Sequence, residues 1–154
     1  MMTESAVDIL IVEDNPNDVE LLLRVFKWYS FSDSICVVGD GEEAIEFIYS
    51  TGRYSGRTTG MPKMILLDLK LPGMDGIEVL RRIKGDPATR AVPVVMLTSS
   101  NEDRDIVESY NLGVNSYIVK PVQFYQFVDS IKQLGAYWRY LNQHPGKKPE
   151  TPGP

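Results

Sequence analysis

The stretch Val-Asp-Ile-Leu-Ile-Val-Glu-Asp, residues 7–14, sets a pattern that the rest of the chain repeats. A short, continuous run of mostly branched apolar residues is followed at once by acidic residues. Comparable short runs cover residues 34–39, 64–68, 92–98 and 116–120. Continuous rather than alternating apolar runs are typical of strands covered on both faces, as in a parallel sheet.

Helical patterns alternate with these five runs. The first begins at Asn15-Pro16, an N-cap followed by a proline suited to the first helical position. The others cover residues 42–50, 75–84, 101–112 and 123–142. This alternation predicts an α/β fold, a doubly wound five-stranded parallel (βα)5 sheet with the flavodoxin-like order 2-1-3-4-5.

The length of 154 residues suits one domain. We expect it to cover residues 1–143, with the last helix extending to about 142, and residues 144–154 to form a disordered Pro/Gly tail. Residues 51–63, rich in Gly, Arg and Thr, predict a long loop before the third strand.

Composition excludes several classes of function. The single cysteine, Cys36, allows no internal disulfide, and the single histidine, His144, allows no His-based zinc centre or Ser-His-Asp triad within the fold. The formal charge of −5 argues against binding to nucleic acid or to an anionic membrane. With no apolar run long enough to span a bilayer and no signal-peptide pattern, we expect a cytoplasmic protein.

Acidic residues stand where strands one and three end, at Glu13-Asp14 and Asp68. In the predicted strand order these two ends flank the switch point where ligands bind to open parallel sheets. Strand four ends in Thr98 and strand five in Lys120. Each residue alone has an ordinary structural explanation as a helix cap, a turn residue or a solvated side chain, but their joint placement favours a site.

Clustered carboxylates need a neutralising cation, and Mg²⁺ (or Mn²⁺) prefers such oxygen ligands. With the metal and Lys120 nearby, Asp68 stays ionised and can attack a phosphoryl donor to form an acyl phosphate. Thr98 can donate its hydroxyl to the attached group. This chemistry needs charge neutralisation and positioning but no histidine in the chain itself.

Four motifs carry a family resemblance: Val-Glu-Asp-Asn at 12–15, Leu-Leu-Asp-Leu-Lys-Leu-Pro-Gly-Met-Asp-Gly at 66–76, Leu-Thr-Ser at 97–99 and Val-Lys-Pro at 119–121. With them, residues 6–135 resemble the receiver domain of two-component response regulators. The resemblance implies a phosphorelay switch that takes its phosphoryl group from a histidine kinase. It also implies a signalling protein that catalyses its own phosphorylation and dephosphorylation, rather than a turnover enzyme.

The resemblance assigns a role to each site residue. Asp68 is the expected phosphoacceptor, Asp14 the direct metal ligand, Glu13 a ligand through water, and the backbone carbonyl of Lys70 a further ligand. Thr98 is the expected switch hydroxyl, Lys120 the phosphate-pairing lysine and Tyr117 the aromatic that turns inward. Three further positions are expected to matter: Ser99, which follows the switch hydroxyl, Ser100, which influences how water reaches the phosphoryl group together with Lys70, and Pro121, preceded by a cis peptide bond.

A narrower resemblance, in residues 109–122 and 135–142, is to stand-alone receivers paired with phytochrome-type histidine kinases, which would imply light signalling. We also expect a homodimer through helix four, strand five and helix five. Its expected interface residues are aromatic: Tyr110, Tyr125, Tyr137, Trp138 and Tyr140.

Other functions fit less well. A haloacid-dehalogenase-type phosphatase needs an aspartate two residues after its nucleophile, where this chain has Lys70, and a flavin phosphate loop would not carry the acids of residues 13–18. The alternative that stays open is a phosphorylation-independent adaptor that keeps the receiver fold.

Overall fold

The computed structural model describes residues 7, 9–28, 34–58, 60–120, 123, 125–127 and 129. Strands and helices alternate along this part of the chain, in the order β1 (Ile9–Val12), α1 (Pro16–Trp28), β2 (Ile35–Val38), α2 (Gly41–Tyr49), β3 (Met64–Leu67), α3 (Gly76–Gly85), β4 (Val94–Thr98), α4 (Asp103–Leu112) and β5 (Ser116–Val119). The predicted alternation is confirmed, with strands one or two residues shorter at their ends than the apolar runs.

The five strands form one sheet in the order β2-β1-β3-β4-β5, and every neighbouring pair is parallel. This confirms the predicted fold class. The strands β1, β3 and β4 are buried along their whole length, which is why their sequences are continuously apolar.

Alternate residues of each central strand enter two separate cores. Leu10, Val12 and Ile65 face the core that α2 and α3 cover, whereas Ile9 and Ile11 face the core that α1 and Phe127 cover. Helices on both faces hold the central strands firmly, so the residues that follow them are fixed at the carboxyl edge of the sheet.

Three details of the helices are not evident from the sequence. The apolar Leu23 of α1 is 38% exposed, whereas Val25 is buried. Helix α2 ends at Tyr49, within one residue of its predicted end, and Ser50 after it adopts the left-handed conformation (φ 55°) that usually falls to glycine. Val107 on α4 is 57% exposed, so this apolar side chain faces mostly solvent.

The predicted long loop after α2 contains a short 3-10 helix, Gly52–Tyr54, and packs against the domain. Arg57 is buried: its Nε donates to the carbonyl of Phe47 at 2.9 Å, its Nη1 donates to the carbonyl of Gly60 at 2.6 Å, and its guanidinium lies 4.1 Å from the Phe47 ring centroid. A polar loop is thus held by a cation–π contact and charge-assisted hydrogen bonds.

Acidic side chains of α2 complete this contact. Arg53 pairs with Glu46 at 2.7 Å, and the Tyr54 hydroxyl donates to Glu43 at 2.6 Å. We call the group formed by these residues the α2 network, consisting of Glu43, Glu46, Arg53, Tyr54 and Arg57.

The predicted last helix beyond residue 129 and the predicted tail at 144–154 lie outside the described residues. Within the described residues, no helix is long and apolar enough to cross a membrane.

Candidate phosphoryl and metal site

The carboxyl ends of β1 and β3 form the floor of the site. These strands are neighbours, with Val12 opposite Leu67, so the residues that follow them lie side by side at the switch point. The backbone N–H of Asp68 donates to the carbonyl of Val12 at 3.0 Å and fixes the start of the loop. Gly76, at the start of α3, lets this loop approach the helix, because a Cβ there would clash with the Asp68 carbonyl.

Three carboxylates meet at this point, as predicted. One oxygen each of Glu13, Asp14 and Asp68 lies within 4.8 Å of the other two. Glu13 and Asp68 are only 3% and 6% exposed, whereas Asp14 is exposed to solvent. The Asp68 carboxylate also accepts the N–H of Lys70 at 3.1 Å.

The ammonium group of Lys120 reaches the same point from the end of β5. Its Nζ lies 2.7 Å from Glu13 Oε1 and 3.2 Å from Asp68 Oδ2. The lysine backbone is itself fixed, since its N–H donates to the carbonyl of Thr98 at 2.8 Å. Burial lowers the pKa of Lys120, but hydrogen bonds with Asp18 and Glu13 outweigh it and hold the pKa above its ordinary value.

The protein environment of the site disfavours the ionised form of Glu13. Burial, followed by a hydrogen bond with Asp68, raises the pKa of Glu13 to about 8, although Lys120 acts in the opposite direction. A lysine alone therefore does not balance the carboxylates. Hard oxygen ligands placed this closely suit a divalent cation such as Mg²⁺ or Mn²⁺.

Asp18 also belongs to this group, although we did not predict it as a site residue. Its Oδ2 lies 2.7 Å from Lys120 Nζ. The sequence marks it only as an acid in the first turn of α1, a position that helix dipoles favour without any further role. We call the five residues Glu13, Asp14, Asp18, Asp68 and Lys120 the crevice cluster.

Both predicted switch residues, Thr98 and Tyr117, form a hydrogen bond with Ser100, just after the end of β4. Thr98 is fully buried, and its Oγ1 accepts the N–H of Ser100 at 3.3 Å. The half-buried Tyr117 donates its hydroxyl to the carbonyl of Ser100 at 2.8 Å. Ser100 is buried and donates its own hydroxyl to Asp105 of α4, whereas Ser99 is exposed. Ser100 therefore connects both predicted switch residues to α4.

The predicted interface residues, and the predicted Pro121, are either exposed or outside the described residues. Tyr110 and Tyr125 are 50% and 76% exposed. Four residues are not described: Pro121, Tyr137, Trp138 and Tyr140.

Comparison with known proteins identifies the family to which this chain belongs. Residues 9–132 match the response regulator receiver domain. The chain belongs to the response regulator receiver family. The crevice cluster of this receiver contains Asp68, which the sequence motifs predict as the phosphoacceptor.

Two individual proteins are similar in sequence to this receiver over most of its length. The receiver is 38% identical over 138 residues to the probable methanogenesis regulatory protein FilR2 of Methanothrix harundinacea, covering 90% of this chain and 87% of that protein. It is 35% identical over 130 residues to the response regulator Rcp1 of Synechocystis, covering 84% of this chain and 87% of Rcp1.

Solved structures show the same architecture. The Mn²⁺-bound form of Rcp1 superposes with a TM-score of 0.75 at 34% identity, covering 90% of this chain and 98% of that one. The bacteriophytochrome response regulator AtBRR superposes with a TM-score of 0.74 at 48% identity, covering 91% and 100%. This receiver is therefore similar to response regulators of phytochrome signalling, as the narrower sequence resemblance predicted.

Proposed function

We propose that this receiver accepts a phosphoryl group on Asp68 from the phosphohistidine of a histidine kinase. The observation that carries the proposal is the position of Asp68, which is 6% exposed at the switch point and lies 3.2 Å from Lys120 Nζ. It shares this point with two further carboxylates, Glu13 and Asp14. Such a group supports phosphoryl transfer better than a purely structural role, because it leaves negative charge uncompensated.

The proposed reaction is a displacement at phosphorus. A carboxylate oxygen of Asp68 forms the new O–P bond, the N–P bond of the donor breaks, and the departing imidazole takes a proton from solvent. Lys120 pairs with the transferred oxygens, and the Lys70 N–H holds the other carboxylate oxygen at 3.1 Å. The product is an acyl phosphate on Asp68.

Glu13, Asp14 and Asp68 would hold a divalent cation, with the backbone carbonyl of Lys70 as a further ligand. When bound, Mg²⁺ (or Mn²⁺) supplies positive charge that neutralises the phosphoryl oxygens. Glu13 is buried and Asp14 exposed, which fits an assisting role for the first and direct access for the second.

The acyl phosphate is proposed to act as a switch and not as a step in a turnover cycle. Thr98 would turn its hydroxyl toward the phosphoryl group and release the Ser100 N–H that it accepts at 3.3 Å. Tyr117, bonded to the Ser100 carbonyl, and Asp105, bonded to the Ser100 hydroxyl, would then move with it. The surface of α4 and β5 is the expected output.

That surface also supports the proposed homodimer. Val107, Tyr110 and Val119 are exposed there, Tyr125 is exposed shortly after β5, and tyrosine is a frequent interface anchor. Sedimentation with and without a phosphoryl donor tests this proposal. A dimer that Tyr110→Ala dissociates would support it, and a monomer at all concentrations would contradict it.

The kinase partner is proposed to be of the phytochrome type, with light as the stimulus. Support comes from the 48% identity to the bacteriophytochrome response regulator AtBRR. Phosphoryl transfer from a phytochrome kinase that depends on illumination, and fails with unrelated kinases, is the expected result.

Incubation with acetyl phosphate and Mg²⁺ tests the proposed chemistry itself. Intact-mass measurement should show one added phosphoryl group on the wild type and none on Asp68→Asn, which keeps the shape of the side chain but lacks the nucleophilic charge. A wild type that gains no phosphoryl group, from acetyl phosphate or from kinases, would instead support the phosphorylation-independent adaptor.

A further inference from the structure

Asp18 forms an ion pair with Lys120 but does not belong to the three carboxylates that could bind a cation. The Lys120 ammonium has three N–H donors, and the structure provides three carboxylate acceptors, at 2.7 Å for Glu13, 2.7 Å for Asp18 and 3.2 Å for Asp68. The lysine side chain is only 14% exposed, and Asp18 is 26% exposed. This ion pair is therefore screened less by solvent than a surface pair.

The three carboxylate acceptors of Lys120 differ in whether they could also bind a cation. Glu13 and Asp68 belong to the group that can hold a cation, and Asp68 is also the proposed phosphoacceptor. Asp18 is not in that group. Asp18 can therefore stay paired with the ammonium when Glu13 and Asp68 hold a cation, or when Asp68 carries a phosphoryl group.

Backbone contacts fix both ends of the Asp18–Lys120 pair. The Asn15 side chain accepts the N–H of Asn17 at 2.9 Å and that of Asp18 at 3.3 Å, which sets the first turn of α1. The N–H of Lys120 donates to the carbonyl of Thr98 at 2.8 Å. An otherwise flexible side chain with four rotatable bonds is thus held between two anchored points.

We propose that Asp18 is a positioning residue that holds the Lys120 ammonium beside Asp68, ready to pair with a phosphoryl oxygen. This role rests on the proposed function of Asp68. Without Asp18 the ammonium keeps only partners that the reaction itself engages, and more of its conformations point away from the reacting group. Because Asp18 acts through Lys120, its effect depends on the presence of that lysine.

A double-mutant cycle tests this dependence. Phosphorylation by acetyl phosphate with Mg²⁺ is followed by intact mass for the wild type, Asp18→Ala, Lys120→Ala and the double variant. We expect Asp18→Ala to lower the rate at saturating donor about tenfold, with little change in the donor concentration needed for half-saturation. In the Lys120→Ala background the same substitution should change the rate less than twofold.

Two variants control for folding and for charge. Asp18→Asn repeats the cycle with the side-chain shape kept, in case the alanine variant unfolds. Glu20→Ala removes one negative charge from the same helix, where Glu20 pairs with Arg24 and is 72% exposed, and should leave the rate unchanged. An equal loss with and without Lys120, or an Asp18 variant as fast as the wild type, would overturn the proposal.

A second readout needs neither cation nor phosphoryl donor. In protein labelled with ¹⁵N-lysine, a buried and hydrogen-bonded ammonium exchanges its protons slowly enough to give an N–H correlation, which Lys120→Ala assigns. We expect the Lys120 signal to be lost in Asp18→Ala and kept in Glu20→Ala. An unchanged signal in Asp18→Ala would contradict the positioning role.

The outcomes separate this role from the proposed function. A wild type that takes no phosphoryl group would overturn the function of Asp68 and with it the role of Asp18. A wild type that is phosphorylated normally, beside an Asp18→Ala variant that behaves the same, would overturn the role of Asp18 alone.

Discussion

The crevice cluster and the α2 network are built from the same kinds of side chain but differ in charge balance. Among the described residues, the crevice cluster places four carboxylates around one ammonium group. The α2 network contains two carboxylates and two guanidinium groups. Both are partly or wholly buried, so solvent screens neither of them fully.

This difference separates a structural group from a functional one. The α2 network contains equal numbers of carboxylates and guanidinium groups, and it holds a loop against α2. The crevice cluster contains more carboxylates than cations, and burial, followed by a hydrogen bond with Asp68, raises the pKa of Glu13 to about 8. A buried excess of one charge sign indicates that a ligand of the opposite sign completes the site.

The largest expected effect on stability is in the α2 network. Arg57→Ala removes two charge-assisted hydrogen bonds and the contact with the Phe47 ring. We expect the free energy of unfolding in urea to fall by about 3 kcal/mol. Phosphorylation at Asp68 should remain, because Arg57 is not part of the crevice cluster. A loss below about 1 kcal/mol would show that the loop is not fastened in this way.

A cation bound to the crevice cluster should stabilise the protein against unfolding. At a Mg²⁺ concentration one hundred times the dissociation constant, the free energy of unfolding should rise by about 2.7 kcal/mol. Thermal unfolding of the wild type and of Asp14→Asn measures this rise, which the variant should lack.

Without Mg²⁺, Asp14→Asn should be more stable than the wild type by up to about 1 kcal/mol, because it removes the charge repulsion between Asp14 and Asp68. A Mg²⁺-dependent rise of equal size in both proteins would contradict the assignment of Asp14 as a ligand.

The smallest expected effect comes from the exposed edge of the α2 network. Arg53 is 53% exposed and pairs with Glu46 at 2.7 Å. Arg53→Ala should lower the free energy of unfolding by less than about 1 kcal/mol, because solvent and salt screen such pairs. Added salt should reduce the difference further in the same urea titration. An effect as large as that of Arg57→Ala would mean that burial does not distinguish the two arginines.

The sequence was sufficient to predict the fold and the centre of the site. Continuous apolar runs identify buried parallel strands, and their order brings Glu13, Asp14 and Asp68 together without any long-range information. Lys120 was predicted because it ends a strand of the same sheet. These predictions need only the local sequence patterns and the general rule that ligands bind at the switch point of an open parallel sheet.

The features that were missed depend on side chains meeting across the fold. Asp18 contacts Lys120 across 102 positions of the chain, and nothing in the first turn of α1 indicates that contact. Arg57 lies in a polar segment, so its burial against Phe47 has no local signal. Val107 follows Ile106 as the second of two adjacent apolar residues in α4, yet its side chain is 57% exposed.

The most direct test of the central account is chemical identification of the phosphorylated residue. Borohydride reduces an acyl phosphate of aspartate to homoserine, which peptide mass spectrometry can locate. After treatment with acetyl phosphate and Mg²⁺, we expect homoserine at position 68 and nowhere else, and no conversion when Mg²⁺ is removed by a chelator. Homoserine at position 14 or 18, or at none of the carboxylates of the crevice cluster, would contradict the account.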